Sequence, residues 1–249
     1  ASDIVTIASG HTVTFAGTTE TCAGLTITGI LAAYDDDDTL TINGNVSGGG
    51  QIDLDDANPT NLILTGNYSF AGTIIRENRL NVTLNGTGAQ TVTGTSEDGK
   101  IRSLTVNKTS GTATLVEGDP PRGNLFLRDG DLTVSNGTLD LSGYTADQNH
   151  DDRGTLSVAA GATLKIGGTN TLPGNYGAYS IDATSTVEYY GTNQTVYGFS
   201  YGNLTLSGSG TKTSSFAGTG TVATNNGIDT ITGTGTFFLM SLGWVLKSP

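Results

Sequence analysis

The 249-residue chain carries 11 basic against 23 acidic side chains, a net charge of −12, with 37 glycines and one cysteine. Charged residues are only 14% of the chain, against about 25% in an ordinary domain. No run approaches the roughly 20 apolar residues of a membrane-spanning helix, and so acidic a chain lacks the cations that nucleic-acid phosphates demand. The lone Cys22 excludes an intrachain disulfide and a multi-cysteine metal site, which leaves packing and backbone hydrogen bonds to hold the fold.

From the N-terminus onward, short apolar/polar alternations predict strands at residues 4–7, 11–15, 25–27, 40–42, 62–64 and 80–84. Further strands are predicted at 104–106, 132–134, 156–158, 164–166, 187–189 and 204–206. Period two over a few residues rich in Val, Ile, Leu and Thr, bounded by Gly, Asn and Asp, marks a half-buried strand. A sustained i, i+3, i+4 apolar pattern is missing, and glycine interrupts almost every window that could carry one.

Leu-x-hydrophobic triplets, with Thr in the middle at all but the third and fourth, begin at positions 25, 40, 62, 80, 104 and 132, at uneven intervals. A longer repeat is superposed: residues 82–92 match 187–196 with one deletion, and 103–109 match 203–209. Self-similarity at a short, loose period of this kind means stacked coils, each completed by its neighbours. The expectation is an all-β, single-domain parallel β-solenoid (β-helix) over residues 1–235, a rod of about ten short coils roughly 50 Å long at about 4.8 Å per coil. A β-sandwich array or tandem immunoglobulin-like domains are the rival, since they also give many short strands. The polar breaks at 119–123 and 147–153 are read as excursions from one rod.

The stretches 161–173, 183–189 and 201–208 and the opening 3–14 resemble the β-strand repeats of large secreted bacterial surface proteins, especially Bacteroidota-type adhesins. That resemblance implies secretion to the cell surface or beyond and a structural or adhesive role, with no catalytic residue to carry over. A start at Ala1 rather than Met is likewise expected to reflect removal of an export segment.

The chemistry-bearing residues form no recognisable constellation. His11 and His150 are expected to be solvated or hydrogen-bonded, and no nucleophile elbow, phosphate loop or His-Glu-x-x-His pair occurs. Aspartates cluster at 35–38, at Asp53, Asp55 and Asp56, at Asp129 and Asp131, and at Asp147, Asp151 and Asp152. They are read as solvated turns, with calcium binding and paired-acid sugar cleavage as the alternatives. Tyr189, Tyr190, Tyr197 and Tyr201 could form an outward ladder. Eight Asn-x-Ser/Thr sites, at Asn45, Asn67, Asn81, Asn85, Asn107, Asn136, Asn193 and Asn203, arise from strand alternation or from glycosylation. Neither an enzyme, a cofactor nor a metal is expected.

Residues 236–246 are the most apolar stretch and hold the single Trp and the single Met. Two uses follow for residues 236–249: a plug over the last coil, or a segment that contacts the next subunit through Phe237, Phe238, Leu239, Trp244, Val245 and Leu246. The resulting expectation is a non-catalytic subunit of an extracellular filament, joined head to tail to copies of itself. A cell-surface adhesin rod, with surface glycans as partners, is the second reading, and a polysaccharide-binding or polysaccharide-cleaving β-helix the third.

Overall fold

The computed structural model describes residues 3–15, 20–33, 38–54, 59–94, 100–117, 124–150 and 152–214. They form one all-β domain of parallel strands stacked as a β-solenoid of about eight turns. Every described strand pairing is parallel and joins one coil to the next, so the immunoglobulin-like alternative falls. Among the described residues the only helical element is a 3-10 turn, Glu77–Arg79.

The coil has three faces. On the first, Ile4–Ile7, Gly24–Ile27, Val46–Gly48, Tyr68–Phe70 and Gln90–Thr93 stack in order. The column continues through the second halves of Ser103–Val116 and Leu132–Asp140 to Thr163–Ile166, Thr186–Tyr189 and Asn203–Leu206. The third face stacks Glu20–Cys22, Thr39–Ile42, Thr60–Leu64 and Leu80–Leu84, then the first halves of the same two long strands, then Arg153–Val158 and Tyr176–Ile181. The second face is the least regular. Thr12–Phe15, Ile30–Ala33, Gln51–Leu54 and Thr73–Ile75 form one ladder there, and Leu125–Leu127 with Ala146–Gln148 and Gln194–Val196 with Lys212–Ser214 form two short ones.

Among the described residues, ten strands therefore lie in the first column and eight in the third. The chain passes from Gln194–Val196 to Asn203–Leu206 without adding a strand to the third face, and whatever follows Lys212–Ser214 lies outside the described residues. The expectation is about ten coils; the first column counts ten strands, and the stack as a whole has about eight turns.

Alternation places the apolar residues inside. Thr39–Ile42, Thr163–Ile166 and Thr186–Tyr189 each bury every second side chain, and one continuous core runs from Ile7 to Leu206. The triplet period is loose partly because the triplet beginning at Leu25 lies on the first face, whereas those from Leu40 onward lie on the third. Coil length varies as well. The chain from Thr105 to Thr133 is longer than that from Thr83 to Thr105, yet both pairs are in register. The extra residues leave at the corners. Glycine is indispensable at some of these: a Cβ on Gly86 would collide with the Thr65 carbonyl oxygen, and one on Gly191 with that of Gly168.

The longer repeat is real but rotated. Residues 82–84 lie on the third face and 187–189 on the first, so the repeat is of a corner rather than of a whole number of coils. In each copy a glutamine just after the corner is buried. Gln90 accepts from the Gly86 N–H (2.8 Å) and donates to the Leu64 carbonyl of the preceding coil (3.1 Å). Gln194 accepts from the Gly191 N–H (2.8 Å) and donates to the Ile166 carbonyl (3.1 Å).

Candidate functional site

The six residues expected to form a self-assembly contact, Phe237, Phe238, Leu239, Trp244, Val245 and Leu246, lie outside the described residues. What is described is the opposite end of the rod. Ile4–Ile7, Thr12–Phe15 and Glu20–Cys22 pair on one side only, with Gly24–Ile27, Ile30–Ala33 and Thr39–Ile42, and no described strand covers their other edge. Ile4 is 72% exposed and Val13 41%. An edge of this kind presents unpaired N–H and C=O groups to any strand that can lie alongside it. The exposed Ile4 and Val13 add apolar area to that edge. Phe15 and Cys22 close the core beneath, and burial pushes the Cys22 thiol above its ordinary pKa, keeping it an inert apolar group.

The corners below hold buried charge. Lys108 is fully buried, and its ammonium donates to the carbonyls of Gly86 (2.6 Å) and Gly88 (2.8 Å) and to Gln90 Oε1 (2.6 Å). Lys212, also buried, donates to the carbonyls of Gly191 (2.8 Å), Thr192 (2.7 Å) and Ser209 (3.0 Å). A buried ammonium is tolerated only when its N–H groups are satisfied. Here three convergent carbonyl groups do so, and the two copies of the repeat reach the same solution with a lysine at the same distance along the chain from the buried glutamine. These are structural clamps between coils.

Both histidines are on the surface. His11 Nδ1 lies 3.2 Å from the Ser9 carbonyl oxygen. His150 Nδ1 lies 2.9 Å from Asp129 Oδ1, in an exposed pair that Arg153 approaches at 3.9 Å. Among the described residues no three His, Cys, Asp or Glu side chains come together in a way that could hold a metal. The described aspartates do local work: Asp131 accepts from the Thr155 N–H (2.7 Å), Asp147 from the Gly174 N–H (2.7 Å) and Asp182 from the Thr184 N–H (2.8 Å). That last bond, with a second from the Thr184 hydroxyl (2.7 Å), holds the Asp182 carboxyl below its ordinary pKa. Asp35, Asp36, Asp37, Asp55, Asp56 and Asp151 lie outside the described residues.

The tyrosine ladder needs correction. Tyr189 and Tyr201 point into the core, hydroxyl to hydroxyl at 3.0 Å, because strand alternation places Tyr189 in line with the buried Ile166. Tyr190 lies at a corner, its hydroxyl on Asp140 Oδ1 (2.7 Å) and the Lys165 ammonium 4.9 Å from its ring centre. Tyr197 alone of the four is exposed, and it stacks on Tyr179 with Phe199 alongside. Tyr176, Tyr179 and Phe199, not singled out in the sequence, complete this aromatic cover where the third face ends.

Several glycosylation-type sequences serve the stack. Asn45 and Asn67 accept from backbone N–H groups one coil further on, both at 2.8 Å. Asn81 donates to Asn61 (3.0 Å), Asn193 accepts from the Thr211 N–H (2.8 Å) and Asn203 donates to the Ser185 carbonyl (2.9 Å). Five of the eight amides therefore tie one coil to another. A shallow depression beside the 3-10 turn, lined by Thr73, Ile75, Arg76, Glu77 and Arg128, is internally neutralised. Arg76 pairs with Asp53 at 3.1 Å and Arg128 with Glu77 at 2.8 Å.

No family model, curated protein or solved structure matches the chain. Among the described residues, no helix is long and apolar enough to cross a membrane.

Proposed function

We propose that the chain is a non-catalytic, extracellular structural rod whose copies stack head to tail into a filament. The observation that carries this reading is the first described turn, whose three parallel strands pair on one side only among the described residues and which exposes Ile4 and Val13. A solenoid end is complementary to another solenoid end, because both are cross-sections of the same three-sided stack. Such a contact uses different surfaces on the two partners, so it does not close on itself and grows into a fibre. The apolar residues 236–246 supply the matching surface. Each large side chain buried there contributes about 1.5–3 kcal/mol before association entropy is deducted.

Electron microscopy of the purified chain tests the proposal, with fibres of constant diameter as the expected outcome. Ile4→Lys together with Val13→Lys, and separately deletion of residues 236–249, should each leave folded monomers. Monodisperse rods from the unaltered chain at high concentration would instead favour the adhesin rod, which shares the fold but not self-association.

A further inference from the structure

The first face has a short outward row of hydroxyl groups, Thr6, Thr26, Ser47 and Ser69, but there Thr26 bonds to Ser47 (3.3 Å) and Ser69 donates to the Val46 carbonyl (3.1 Å). The third face carries a longer one. From Thr41 through Ile63, Thr83, Thr105 and Thr133 to Ser157, successive residues are Cα partners in an unbroken register. Parallel strands lie about 4.8 Å apart, so this row is a line of side chains at that spacing, hydroxyl-bearing at every position except Ile63. Coil length changes along the way, and the register does not.

Two further properties are independent of that spacing. In Thr39–Ile42, Thr60–Leu64, Leu80–Leu84 and the start of Ser103–Val116, the outward positions carry neither a charge nor an aromatic ring, although the chain has a net charge of −12. On the first face, by contrast, Asp140, Lys165 and Glu188 stack directly on one another. The neighbouring row is already ordered: Asn61 donates to Thr39 Oγ1 (3.4 Å) and Asn81 to Asn61 Oδ1 (3.0 Å), and Arg102 at the corner donates to Asn81 Oδ1 (3.2 Å). Among the described residues no hydrogen bond engages the hydroxyls of Thr41, Thr83, Thr105 or Thr133.

We propose that the third face binds the surface of ice, an ordered lattice of water. The ligand must be uncharged, because the row and the outward positions of its four central strands are uncharged. It must be periodic, because the free donors and acceptors recur at the strand spacing, which lies close to an oxygen repeat of hexagonal ice. Each hydroxyl can donate and accept, as a lattice water does, and the threonine methyl groups cover the gaps with apolar surface. Rigidity matters too: a pre-ordered array loses little entropy on binding. A crystalline polysaccharide is also neutral and periodic, but sugar rings bind to aromatic platforms, and this row has none.

The proposal does not rest on filament assembly, and monomer isolated by gel filtration serves for the test. Ice recrystallisation is followed by microscopy with the unaltered chain, Thr83→Tyr, Thr105→Tyr and the first-face control Thr26→Tyr, each checked for fold by circular dichroism. The expected result is that the unaltered chain and Thr26→Tyr keep ice grains small, whereas either third-face substitution restores coarsening. The proposal is overturned if the unaltered chain lets grains coarsen as an unrelated acidic protein does, whatever the variants show. It is also overturned if folded Thr83→Tyr and Thr105→Tyr both stay active, or if the chain is retained on microcrystalline cellulose and leaves ice unaffected.

Discussion

The Lys108 ammonium sits 2.6 Å from Gln90 Oε1 with no exposure to solvent. The same oxygen accepts the Gly86 N–H, and the Gln90 amide donates to the carbonyls of Leu64 and Gly66. One lysine and one glutamine thus tie three successive coils at a corner.

Replacing Lys108 by Met keeps the stem volume and removes the donors, stranding the Gly86 and Gly88 carbonyls. A buried unsatisfied polar group costs about 1–3 kcal/mol, so a loss of about 2–4 kcal/mol in urea unfolding is expected. Because Gln90→Leu removes part of the same network, the double variant should lose less than the sum of the two. Strict additivity would show that the corner is not a unit.

Tyr68 is fully buried, and its hydroxyl has no hydrogen-bond partner among the described residues. Tyr68→Phe should therefore raise stability, by about 1–3 kcal/mol if the whole desolvation penalty is recovered. A lowered Tm would mean that the hydroxyl is satisfied by an internal water.

Gly86→Ala places a methyl group where the Thr65 carbonyl oxygen already lies. Backbone cannot retreat as a flexible side chain can, and an overpacked site costs about 1–3 kcal/mol. Gly143→Ala, where an added Cβ meets no neighbouring atom, is the control and should be nearly neutral. Equal Tm values for the two variants would refute the steric account of the corner.

Alkaline pH should unfold the rod. Burial holds the hydroxyls of Tyr68, Tyr176, Tyr189 and Tyr201 above the ordinary tyrosine range. Above about pH 10 the unfolded chain releases these protons while the folded chain keeps them. Stability therefore falls as pH rises, by about 1.4 kcal/mol per pH unit for each group. Lys108 acts in the opposite sense, since burial lowers its pKa and stability from this group rises with pH until the unfolded lysine also deprotonates, near about 10.4. Four groups outweigh one. Tyrosinate absorbance should appear together with loss of the β-sheet circular dichroism signal; ionisation of all the tyrosines in a still-folded rod would contradict this.

Strands and their inward faces are legible in the sequence because a period of two needs only local sterics and burial. Thr163–Ile166 and Leu80–Leu84 read as strands from their own residues, and the loose period suffices for a stacked coil. Second-face strands such as Gln51–Leu54 and Ala146–Gln148 escape the pattern, since their outward aspartates and short length resemble turns. The direction of Tyr189 and Tyr201 is hidden because it depends on strand register, which the neighbouring coils set. The repeated Gly-Thr and Gln-Thr-Val phrases are visible as a match, but not as a corner, since the face on which a corner falls depends on the lengths of all preceding coils. Only stacking brings Lys108 beneath Gln90 or sets Thr83 over Thr105. Each of those pairs is separated by a whole coil of chain, and the backbone ladder between coils, not any local preference, makes its members neighbours.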